Sequence, residues 1–258
     1  MPSVIGYENL FTTGTVTASS EESGYPIENA YDGLTWDFWQ PTSADAGDNS
    51  SYIEVDTGTT QSIVTGYFGL AAHNLADISA TVTVQGSNDA FAAQTVQLAQ
   101  TTPADNRVVF LTFSDKIYRY FRVLFTTTGG GVPVIGVVML GRSLVLTDGM
   151  EPGFVPPVFS FDDTVKVNSA NNGAFLGRSI IRKGSSTRIS MSNVDPDWMR
   201  THWLPFLEHA RTMPFLFSWD TVDRPNEAAY CWTDKAIPDQ AYTSSLYMGA
   251  DLPVKALL

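Results

Sequence analysis

The chain has 258 residues, one cysteine, and 27 acidic against 15 basic side chains, a net charge of −12. An acidic surface repels phosphate backbones and anionic lipid, which sets nucleic acid and acidic membranes aside as partners, and a lone cysteine excludes a disulfide-stapled fold. The length predicts two domains, no apolar run reaches the ~18–20 residues of a membrane span, and no charged stretch followed by an apolar one suggests a secretory signal.

The first half reads as short strands between turn clusters. Ser51–Val55 ends in the turn Asp56-Thr57-Gly58, and Ile63–Leu70 is rich in β-branched and aromatic residues. Ala80–Gln85, Val108–Phe113 and Tyr118–Phe125 alternate apolar and polar positions, as half-buried strands do. Val134–Leu140 is almost continuously apolar, the pattern of a strand covered on both faces. At least six strands at this spacing predict a β-sandwich.

The Pro/Gly cluster Asp148–Pro157 is the expected linker. Beyond it, Val158–Val167, Ser179–Arg182 and Ser185–Met191 read as strands, with Lys183-Gly184 as a hairpin turn between the last two. A helix is predicted over about 196–211. Asp195 is its N-cap and Pro196 its first residue, and Met199, Trp203, Phe206, Leu207 and Ala210 share an apolar face. Pro205 interrupts that pattern, so a kink or a restart capped by Thr201 is expected. Pro214–Trp219, Ala228–Thr233 and Leu246–Lys255 are strand-like. Cys231 is expected to be a small buried hydrophobe, since no histidine adjoins it in sequence.

Several short segments in the first half fall in a telling order. They are Thr17-Ala18-Ser19-Ser20, Asn29-Ala30-Tyr31-Asp32-Gly33 followed by Trp36 and Trp39, Val55-Asp56-Thr57-Gly58, Ser87-Asn88-Asp89, and Tyr118-Arg119-Tyr120-Phe121-Arg122-Val123. Residues 17–140 thereby resemble the discoidin family, also called the coagulation-factor type C domain. That resemblance implies a β-sandwich binding glycans or lipid head groups through loops at one end. Thr57 replaces the family's usual leucine, and the frequent terminal cysteine pair is missing. Trp36, Trp39, His73 and Asn74 are the candidate glycan-binding residues: aromatic rings stack on the apolar face of a sugar, while polar side chains take its hydroxyls. His73-Asn74 reads equally as a tie between loops. Several family members hold calcium near the Asp-Gly turn, which makes Asn29, Asp32 and Asp37 the candidate oxygen ligands. No cofactor is otherwise expected.

The second half, through Met213–Asp220 and Pro225–Trp232, resembles the β-sandwich-plus-helix domains of long-tailed bacteriophage tails, including distal-tail and minor tail proteins. The expected fold is therefore mainly β. Residues 1–145 would form a discoidin-like (galactose-binding-like) sandwich, and residues 146–258 a β-sandwich or barrel with one flanking helix. The resemblances imply a non-enzymatic structural protein of a phage tail tip or baseplate. It would form a homo-oligomeric ring, contact other tail proteins, attach to a host-surface glycan, and sit in the virion after assembly in the bacterial cytoplasm. The alternative is a free carbohydrate-binding module or lectin. Catalysis is set aside. The three histidines, His73, His202 and His209, are scattered, and neither His-Glu-x-x-His nor Gly-x-Ser-x-Gly occurs.

Overall fold

The computed structural model describes residues 2–42, 49–58, 64–146 and 149–258. Within them the chain is mainly β, with one short helical stretch. Ile63, at the start of one predicted strand, and Asp148, at the start of the expected linker, lie outside the described residues.

Strands β2 (Thr15–Ala18), β3 (Ser50–Asp56), β5 (Thr81–Ser87), β6 (Val96–Thr101) and β8 (Tyr120–Thr126) form an antiparallel sheet in the order β2-β3-β8-β5-β6. Strands β4 (Thr65–His73), β7 (Val109–Lys116) and β9 (Ile135–Gly141) form a facing sheet in the order β7-β4-β9. Alternation drives the pairing of the two layers. Ile53 and Val55 of β3, and Phe121, Val123 and Phe125 of β8, turn inward against Phe68, Leu70, Val138 and Leu140. The solvent face of the larger sheet carries charge pairs. Arg119 grips Asp56 through two hydrogen bonds of 2.9 and 2.8 Å. Arg122 holds Glu54 at 2.7 Å while lying between the rings of Tyr52 and Phe91. Away from that face, in the loop between β6 and β7, Arg107 pairs with Asp105.

A second apolar layer covers the other face of the smaller sheet. β1 (Ser3–Gly6), β10 (Ser143–Leu146), β13 (Ser185–Val194), β14 (Phe215–Ser218), β15 (Ala229–Trp232) and β16 (Met248–Leu257) make a six-stranded sheet in the order β10-β1-β14-β15-β16-β13. It is open: the closed barrel expected as one form is not what these strands build. Val4, Leu216 and Tyr230 pack against Tyr67, Ala71, Val137 and Met139 of the sandwich. This explains why β9 is apolar throughout: its alternate residues enter two different cores. The expected division at 145/146 falls inside β10, and β1, from the N-terminal end, lies between β10 and β14.

The helical stretch 196–210, α1, covers the far face of that sheet. Asp195 caps it, its carboxylate accepting from the backbone N–H groups of Asp197 and Trp198. Met199, Trp203, Phe206, Leu207 and Ala210 are buried against Ile5, Phe215, Phe217 and Cys231. The chain neither breaks nor restarts at Pro205. A π-helical segment, Met199–Trp203, precedes the α-helical turn Leu204–Ala210 and absorbs the proline's missing N–H. Thr201 is no cap, since its hydroxyl donates to the carbonyl of Asp197. Two further expectations are corrected. Residues 158–163 are not strand: a 3-10 turn occupies Pro157–Phe159. And Lys183-Gly184 turns no hairpin, because β12 (Phe175–Arg182) pairs with β11 (Thr164–Ser169), whereas β13 pairs with β16.

Candidate functional site

The loop between β2 and β3 carries most of the predicted site residues, and its local chemistry is that of a tight turn. Asp32 accepts the backbone N–H of Leu34 at 2.8 Å, and Gly33 adopts φ +85, a left-handed conformation that glycine enters without strain. Asn29 donates to the carbonyl of Phe38 at 3.1 Å, which closes the loop on itself. The tip is fastened to the six-stranded sheet, where the Tyr230 hydroxyl donates to the Gly33 carbonyl at 2.8 Å.

The two tryptophans of this loop have opposite fates. Trp39 is 0% exposed. Its backbone pairs with Ile135, its indole N–H donates to the Ser20 carbonyl at 3.1 Å, and its ring lies 6.0 Å from that of Phe125. It plugs the sandwich core and offers no ring face to a ligand. Trp36 is 77% exposed. It lines a groove of about 370 Å³ with Leu34 and Thr35 on one side and Arg211, Thr212, Thr233 and Trp232 on the other. The groove therefore lies at the seam between the sandwich and the six-stranded sheet. Gly33, Met213, Pro214 and Tyr230 are shared with a neighbouring cleft of about 420 Å³, lined mainly by apolar atoms and by Tyr7, Tyr31 and His209. Burial lowers the pKa of His209, and its Nε2 donates to the Pro214 carbonyl at 3.1 Å, so it enters the cleft as a neutral ring.

His73 and Asn74 do not line the Trp36 groove. The buried His73 ring donates from Nε2 to the Arg107 carbonyl at 2.9 Å, and its Nδ1 accepts the Leu75 N–H at 3.4 Å. A carbonyl can only accept, so the tautomer is the Nε2–H form, and burial pulls its pKa below the usual histidine value. Asn74 donates to the Val132 carbonyl and accepts the Val134 N–H, at 3.0 and 2.9 Å. Through these bonds the pair fastens three loops together.

The oxygen set Asn29, Asp32 and Asp37 is a poor calcium cage. Asn29 and Asp32 are engaged within the turn. Of the three, Asp37 alone has a buried carboxylate oxygen without a hydrogen-bond partner. Among the described residues, no three His, Cys, Asp or Glu side chains converge as metal ligands. Cys231 is fully buried, and burial alone raises its thiol pKa, so it is an inert core residue.

An exposed indole flanked by hydroxyls and a guanidinium can stack on a flat apolar surface and hydrogen-bond its rim. Trp232, Arg211, Thr212 and Thr233 escaped sequence reasoning because they belong to the other half of the chain. The one available signal was alternation in β15, which sets Tyr230 and Trp232 on the face opposite Ala229 and Cys231.

Comparisons with known proteins locate the first half of the chain. The F5/8 type C domain model matches residues 15–137. Chitosan-binding module 1 of a chitosanase/glucanase from Paenibacillus sp. IK-5 is similar, with 25% identity over 52% of this chain and 99% of its own, and a TM-score of 0.44. CpGH89CBM32-5 from Clostridium perfringens, in complex with GalNAc-beta-1,3-galactose, shows 13% identity over 52% of this chain and 100% of its own, with a TM-score of 0.44. A Ruminococcus gnavus GH29 fucosidase in complex with fucose shows 17% identity and a TM-score of 0.42, over 53% of this chain and 27% of its own. The search of curated proteins returned no match. Residues 15–137 match the F5/8 type C domain model, and the β2–β3 loop of that region carries Trp36 out to the seam with the six-stranded sheet.

Proposed function

We propose that this chain is a non-enzymatic glycan-binding structural protein, with the Trp36 groove as its saccharide site. The observation that carries this reading is the Trp36 ring, 77% exposed on a loop that is otherwise tightly closed. A large aromatic held in water by a rigid turn is suited to stacking on a pyranose face. Thr35, Thr212, Thr233 and Arg211 supply donors around it, and Trp232 gives the groove a second indole. The net charge of −12 favours neutral or cationic sugars over polyuronates.

Residues 146–258 serve in this reading as an assembly unit of a phage tail tip or baseplate, in which the chain forms a homo-oligomeric ring, contacts other tail proteins and displays the F5/8 type C domain outward in the virion. The strand–helix–aromatic-strand order of the second half supports it, with α1 backing β14 and β15.

The test is calorimetric titration with neutral gluco-oligosaccharides, partly deacetylated chito-oligosaccharides and oligogalacturonate. One of the first two classes is expected to bind, and Trp36→Ala to weaken it about tenfold, the scale of a lost stacking partner and its buried area. Oligogalacturonate is expected not to bind. Equal binding by wild type and Trp36→Ala would refute this site.

A further inference from the structure

The hairpin of β11 and β12 is left unexplained by the packing of its own chain. Among the described residues, the two strands pair with each other and with no other strand. All of β11 is exposed, as is all of β12 except Gly177. The register sets Val165 opposite Ile180 and Val167 opposite Arg178, so Val165, Val167 and Ile180 share one face. Phe175, Leu176 and Ile181 add three apolar side chains, each about two-thirds exposed. A two-stranded hairpin is marginal in water by itself, and its outer edges present unpaired backbone groups.

This hairpin is nonetheless a well-built element. At its tip, Gly173 donates to the Ala170 carbonyl and Ala170 to the Ala174 carbonyl, each at 2.8 Å. Asn172 accepts the Ala174 N–H at 3.1 Å. At its base, Asp162 donates its backbone N–H to the Gly184 carbonyl at 2.8 Å, and its carboxylate pairs with Lys255.

Its charge opposes that of the rest of the chain. Residues 164–184 hold Lys166, Arg178, Arg182 and Lys183 and no carboxylate. The other residues hold 27 acidic and 11 basic side chains, a balance of −16. We propose that the hairpin 164–184 docks onto the acidic surface of a second copy of this chain. Two basic hairpins repel each other, so the contact is head-to-tail, the geometry that closes into rings or runs on as a filament. An anionic bilayer would attract the hairpin but repel the body. The inference rests on the assembly role proposed for residues 146–258 and is independent of glycan binding.

Sedimentation velocity on the full chain, at low and high salt, tests it. Wild type is expected to self-associate with a concentration-dependent mass, weakened at least tenfold in apparent Kd by about 0.5 M salt, where the Debye length falls to roughly 4–5 Å. Two variants, Phe175→Ser/Leu176→Ser/Ile181→Ser and Lys166→Glu/Arg178→Glu, are expected to be monomeric with an unchanged circular dichroism spectrum. Mixed with wild type, either variant still accepts a wild-type hairpin and forms mixed complexes. A wild type that stays monomeric, or that sediments with phosphatidylglycerol vesicles instead of with itself, overturns the proposal. Variants that assemble as wild type does overturn the hairpin's role alone and leave the assembly reading standing.

Discussion

Replacing each tryptophan of the β2–β3 loop by alanine separates core from surface. Trp39 is wholly enclosed, packs beside Phe125 and donates an indole hydrogen bond of 3.1 Å to the Ser20 carbonyl. Truncating a buried tryptophan costs about 3–5 kcal/mol in transfer and cavity terms. For a chain of this size about 2–4 °C of Tm is lost per kcal/mol, so Trp39→Ala is expected to melt about 6–20 °C below wild type. Trp36 contacts mostly water. Its removal is expected to change stability by no more than about 0.5 kcal/mol, or about 2 °C. Scanning calorimetry measures both. A Trp39→Ala shift under about 4 °C, or a larger shift for Trp36→Ala than for Trp39→Ala, would refute the assignment of the two rings.

Two more consequences follow from the packing and the buried histidines. A Cβ on Gly69 would sit 2.3 Å from Leu216 Cδ1, so Gly69→Ala is expected to cost about 1–3 kcal/mol by overpacking the seam. Gly69→Ala/Leu216→Val is expected to lose less than the sum of the single changes, and strict additivity in denaturant titrations would show that the two sheets do not press together there. Burial lowers the folded-state pKa of His73 and His209. As pH falls below the unfolded value of about 6.5, the unfolded chain takes up protons that the folded chain refuses. The stabilisation is therefore complete above that value and declines as pH drops toward the folded pKa values. Urea midpoints are expected to be flat from about pH 7.5 upward and to fall toward pH 5, with a shallower fall in His73→Gln; equal midpoints at pH 5 and 7.5 would contradict this.

Much of the sandwich was legible in sequence because its information is local. Tyr120, Arg122 and Leu124 alternate with Phe121, Val123 and Phe125, and only the second set can face a core. Asn29, Asp32 and Gly33 state their turn through side chains that bond neighbouring backbone and through one left-handed glycine. Asp195 and Pro196 mark where α1 begins, for equally local reasons. The F5/8 type C resemblance of the first half was readable for the same cause, a fixed order of such local signals.

What only the tertiary structure decided are the facts that depend on distant partners. Nothing local distinguishes Trp36 from Trp39, three residues apart; the pairing of Trp39 with Ile135 turns one ring inward and leaves the other in water. The groove beside Trp36 exists because Tyr230, 197 positions away, fastens Gly33 to another sheet. Pro205 read as a kink or a restart because a missing N–H is a local cost, while the π-helical segment before it and the burial of Trp203 and Phe206 carry the stretch on without a restart. β1 and β10 joined the six-stranded sheet because backbone pairing and apolar burial are satisfied across long chain separations that no periodicity encodes. Sequence alone determined the inner alternating strands of the sandwich, the Asp32-Gly33 turn and the capped start of α1, and carried the resemblance of the first half to a known family. Only the tertiary structure decided which aromatic rings are exposed, because exposure is a property of neighbours and not of the residue itself.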